Sequence, residues 1–120
     1  MAMTECIDRV AVQELLGSVG GDLAFFGELL DAYFLDVPRL LSELRHAVSN
    51  QQPQQLQLSA HSLKSASATF GALHLTALCK ELEFMGRART LNEAGELVLR
   101  VEAEYAQVQA ALESIRLTGG

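Results

Sequence analysis

The sequence predicts an all-α fold: an antiparallel up-down four-helix bundle with a short extra N-terminal helix. Three observations carry this. Apolar residues recur at spacings of three and four along most of the 120 residues, the period of an amphipathic helix. Gly, Pro, Asn and Ser gather between those stretches, where helices start and stop. No segment alternates polar and apolar residues as a half-buried strand would,.

The elements follow in order. A short helix is expected over about 9–16, ahead of Gly17. The first long helix is expected over about 22–49, with Phe26, Leu29, Leu30, Tyr33, Phe34, Val37, Leu40, Leu41, Leu44 and Val48 on one stripe. Asp22 after Gly20-Gly21 is a good N-cap, and Ser49-Asn50 supplies polar stop residues,. Pro38 removes one backbone bond, yet the stripe stays in phase beyond it, so a kink in one helix is expected rather than a break.

Asn50-Gln51-Gln52-Pro53 reads as a turn, with Pro53 in the first turn of a helix over about 53–70,. Its narrow stripe is Leu56, Ala60, Leu63, Ser67 and Phe70, and Gly71 is expected to cap its end,. The next helix, over about 74–87, carries Leu75, Leu78, Cys79, Leu82 and Met85 and is expected to close at Gly86-Arg87. Thr90-Leu91-Asn92-Glu93 has the form of a capping box. It opens a last helix over about 91–116, with Ala94, Leu97, Val98, Val101, Tyr105, Val108, Leu112 and Ile115. No repeat or linker interrupts the pattern, so residues 1–120 read as a single domain.

Composition narrows the function. The net charge of −6 argues against nucleic acid as a partner,. No apolar run approaches the roughly 20 residues of a membrane span. Met1 to Asp8 has neither a basic nor an apolar leader segment,. Cys6 and Cys79 lack metal or redox spacing and fit a reducing cytoplasm,.

One residue leaves the pattern usefully. With Leu56 at zero on the helical wheel, the stripe residues fall within roughly 40° and His61 falls about 140° away. The imidazole is therefore expected in solvent, with Gln57, Lys64, Ser65 and Ala68 on the same side and Leu58 one turn earlier. Lys64 is within side-chain reach at i+3, while Ser65 and Ala68 keep the surface low. An exposed neutral imidazole is a competent nucleophile near neutral pH. A neighbouring ammonium can stabilise a phosphoryl group passing to or from it. In an acidic chain, this makes a locally positive patch. The plain alternative is a surface histidine with a lysine nearby by chance.

The run Ala60-His61-Ser62-Leu63-Lys64-Ser65 through Gly71-Ala72, then Leu78-Cys79, Leu82-Glu83 and Gly86-Arg87, resembles the signature of histidine-containing phosphotransfer (HPt) domains. Gly20-Gly21-Asp22, Phe26 to Phe34, Asp36-Val37-Pro38, Leu44-Arg45 and Glu104-Tyr105 resemble it too. The resemblance implies that His61 is the phosphoacceptor and Lys64 the positive partner of the phosphoryl group. It places Gln57, Leu58, Ser65, Ala68, Glu83 and Arg87 on the docking surface, Ser65 standing where that family most often has Gly. The implied partners are response-regulator receiver domains and a hybrid histidine kinase, with Mg²⁺ on the receiver and no cofactor or metal held by this chain. A monomer that leaves the histidine face open is expected, acting in trans on other proteins. The rival readings are a helical adaptor or dimerisation module without phosphotransfer, and the phosphoacceptor domain of a chemotaxis-type kinase.

Other constellations are weaker. Glu43 to His46 has a di-iron ExxH spacing but only one copy, where such bundles use two,. Gly20-Gly21 follows no strand and lacks nucleotide-loop spacing, so any phosphoryl group on His61 is expected from another protein.

Overall fold

The computed structural model describes residues 6–118. Residues 1–5, the start of the stretch read above as lacking a leader, lie outside the described residues, as do residues 119–120. The described residues form five helices and no strand: α1 (Arg9–Ser18), α2 (Leu23–Ser49), α3 (Pro53–Thr69), α4 (Leu73–Ala88) and α5 (Ala94–Thr118). Asp8 and Asp22 cap α1 and α2, their carboxylates accepting the N–H of Val10 at 3.0 Å and of Phe25 at 3.1 Å. The helix α2 runs unbroken through Pro38, its buried stripe continuing from Val37 to Leu40.

Three tight turns join the long helices by one device. In each, two backbone N–H groups fold back onto the last carbonyls, around one residue in the left-handed conformation. That residue is Gln51 (φ 53°), Gly71 (φ 74°) and Arg89 (φ 61°) in turn. At the second turn Ala72 N–H donates to Ser67 O at 3.1 Å and Gly71 N–H to Ala68 O at 3.0 Å. Three boundaries differ from expectation, the first because α1 runs through Gly17 to Ser18. Arg89 rather than Gly86 makes the reversal after α4, so that helix continues through Gly86-Arg87 to Ala88. Residues 91–93 are a turn closed by Ala94 N–H on Leu91 O at 3.1 Å, with Leu91 buried, and α5 starts only at Ala94.

The core lies among α2 to α5. Each of these packs on two of the others, α3 on α2 and α4, and α5 on α4 and α2. Leu30, Leu44, Leu56, Leu63, Leu75, Leu82 and Leu112 are fully buried in a single cluster. Tyr33 pins the polar spot in this core: its hydroxyl is 2.8 Å from Ser67 Oγ, and its ring lies 4.9 Å from Phe70 and 5.9 Å from Tyr105. Ion pairs Arg45–Glu102 and Arg116–Asp31 tie α2 to α5. Ser59 Oγ donates to Glu43 Oε1 at 2.9 Å and ties α3 to α2. The start of the chain latches onto the α3–α4 turn, where Asp8 N–H donates to Gly71 O at 2.7 Å. A side chain at Gly71 would meet Asp8 O at 2.7 Å as well as carrying a strained φ, so only glycine fits.

Candidate functional site

The site starts from the narrowness of the α3 stripe. Burying Leu56, Ala60, Leu63 and Ser67 turns the opposite face outward, and the His61 side chain is 57% exposed. Helix α4 supplies the floor. Glu83 reaches across from it and is only 6% exposed. Its carboxylate lies 3.0 Å from His61 Nδ1 and 2.6 Å from Lys64 Nζ, while Arg87 donates to it at 3.2 Å.

This geometry fixes charge and proton. The Lys64 ammonium, and then the hydrogen bond from His61, hold the Glu83 carboxyl below its ordinary range against the opposing effect of burial,. Glu83 is therefore ionised at neutral pH. An ionised carboxylate only accepts hydrogen bonds, so the neutral imidazole carries its proton on Nδ1 and donates it to Glu83. The lone pair is left on Nε2, at the ring edge away from the buried carboxylate.

The expected site residues fall into two layers. Leu58, Ser65, Ala68 and Arg87 are exposed around His61, and Gln57 is half-buried beside it. Lys64 is also on this side, but its ammonium rests on Glu83 rather than free beside the ring. Glu83, expected on the docking surface, lies beneath it, because its position on α4 faces α3 instead of solvent. The helical wheel of α3 alone missed this link. The signal that could have found it is the i, i+3, i+4 spacing of Glu83, Gly86 and Arg87 on one flank of α4. Two other candidates are accounted for structurally. Glu43 of the ExxH spacing bonds Arg39 and Ser59, and burial pushes the Cys79 thiol up to about 12, so it stays protonated.

Comparison with known proteins bears on the family and the fold. A family model described as Hpt domain matches residues 28–111. The crystal structure of histidine-containing phosphotransfer protein B (HptB) from Pseudomonas aeruginosa superimposes with a TM-score of 0.87 at 29% identity, over 97% of this chain and 98% of that one. No curated protein sequence matches the chain.

Proposed function

The chain belongs to the Hpt domain family, and from that premise we propose that it is a phosphoryl carrier in phosphorelay signalling with His61 as the phosphoacceptor. The observation that carries this reading is the exposed imidazole whose Nδ1 is held by a buried, ionised Glu83. Members of the family partner with receiver domains and histidine kinases and have no kinase activity of their own. We read α2 to α5 as an antiparallel up-down bundle with α1 as a cap, working as a cytoplasmic monomer.

The step has simple chemistry. The Nε2 lone pair attacks the phosphorus of an aspartyl phosphate on a receiver domain. The N–P bond forms as the acyl P–O bond breaks, and the aspartate carboxylate leaves. Glu83 keeps the Nδ1 proton in place and offsets the positive charge that the ring acquires. Lys64, released from Glu83, turns to the incoming phosphoryl oxygens. Transfer to a second receiver is the reverse reaction. Phosphoryl transfer is mostly positioning and electrostatics, so the receiver contributes Mg²⁺ and the aspartate while this chain contributes the nucleophile, a cation and a low surface formed by Gln57, Leu58, Ser65, Ala68 and Arg87.

Incubation with a ³²P-labelled receiver tests the reading. Wild type is expected to take up an acid-labile, base-stable label, and His61→Gln to take up none. Equal labelling of the two proteins refutes it. Profiling against the receivers of the source organism then identifies donor and acceptor.

A further inference from the structure

We infer that Gly86 is a positioning residue for His61: it lets α4 touch the backbone of α3 one turn from Glu83, and so sets the distance at which that carboxylate holds the imidazole. The inference rests on the reading of His61 as the phosphoacceptor.

Gly86 is buried in the last turn of α4, still in helical conformation, where glycine is disfavoured relative to alanine. No reversal of the chain needs it there, since Arg89 is the left-handed residue. Space needs it. A Cβ on Gly86 would lie 2.7 Å from Pro53 O, 2.7 Å from Gln57 N and 2.9 Å from Gln57 Cα. All three are backbone atoms of the first turn of α3, where carbonyl i and N–H i+4 form one rung of the helix. No rotamer change can make room. Ordinary contact begins at 3.4 Å, so a methyl must part the helices by roughly 0.7 Å before repulsion ends.

The two contacts that Glu83 makes across the crossing respond differently to such a movement. The Nδ1···Oε2 bond, at 3.0 Å, passes out of hydrogen-bond range. The Lys64 Nζ···Oε1 contact, at 2.6 Å, survives as an ion pair. Glu83 thus stays charged, and what is lost is its hold on the imidazole proton.

The ¹⁵N chemical shifts of the His61 ring report that proton directly. Wild type is expected to show the Nδ1–H tautomer, and Gly86→Ala a mixture of tautomers with transfer from a phosphorylated receiver slowed on the order of tenfold or more. Two controls separate positioning from stability. Leu112→Ala, a core truncation on α5, should destabilise the protein and leave the tautomer unchanged. Gly95→Ala, whose Cβ would meet only Val48 Cγ1 at 3.7 Å, should change neither. Glu83→Asp withdraws the carboxylate by about 1.5 Å without a clash, and is expected to give the same mixture whether or not Gly86→Ala folds. A wild-type tautomer in Gly86→Ala or Glu83→Asp overturns the inference, as does an equal change in Leu112→Ala. The tautomer is read without any phosphoryl donor, so its outcome is independent of whether His61 accepts phosphate.

Discussion

Glu83 is the residue on which the site turns, since it accepts from His61, Lys64 and Arg87 at once. Its acidity links the site to stability. The folded-state pKa is depressed below the ordinary value of 4.5, so the carboxylate's contribution is fully present above that value. It is lost as the pH falls through the lowered one. Glu83→Gln removes the titration, and its stability is expected to vary less with acidification than that of wild type. Urea unfolding at about pH 7 and about pH 3 measures the difference. A larger acid loss in the variant would contradict the assignment. The same carboxylate explains why Lys64 is not parked beside the imidazole: in the resting protein its charge neutralises a buried anion. On the proposed reading, an arriving phosphoryl group would compete for it.

At the scale of the elements, the turns are where sequence and structure part company. Gly71 announced itself, because a glycine after a helical stripe is the common C-terminal signal. Arg89 did not, since a non-glycine residue in the left-handed region pays a backbone cost that only the surrounding turn imposes. Arg89→Gly should therefore stabilise the protein by up to about 1 kcal/mol, read as a rise of a few degrees in Tm; a fall would show that the Arg89 side chain contributes more than its backbone costs. The buried stripes of α2 to α5 were legible because each helix presents one face to a shared core and the 3.6-residue period records it. His61 and Lys64 were legible as departures from that period. The burial of Glu83 beneath the docking surface and the crossing at Gly86 were not, because the period of one helix carries no information about which neighbour it meets or how closely. A glycine in the last turn of α4 looks like a stop for the same reason: its cause lies in Pro53 and Gln57, on another helix.

In the whole molecule, the long helices share one core, and its truncation should be felt everywhere in stability and nowhere in the imidazole. Leu112 is fully buried, so Leu112→Ala should cost about 2–5 kcal/mol, a large part of the roughly 5–15 kcal/mol typical of a folded domain. Chemical denaturation checks the magnitude, and a loss below about 1 kcal/mol would mean the site collapses around the missing atoms. The longest helix adds a different property. Pro38 brings no N–H to α2, so the carbonyl of Phe34 has no donor one turn on. The stretch before that missing rung holds Tyr33 and Asp31 against Ser67 and Arg116, and the stretch after it holds Glu43 and Arg45 against Ser59 and Glu102. Unwinding that starts at Leu23 is expected to halt there instead of running to Ser49, which native-state hydrogen exchange would show as two protection levels along the helix and a single level would contradict. Amide protons near Asp22 can then exchange with solvent while those near Leu44, behind the histidine-bearing helix, stay protected.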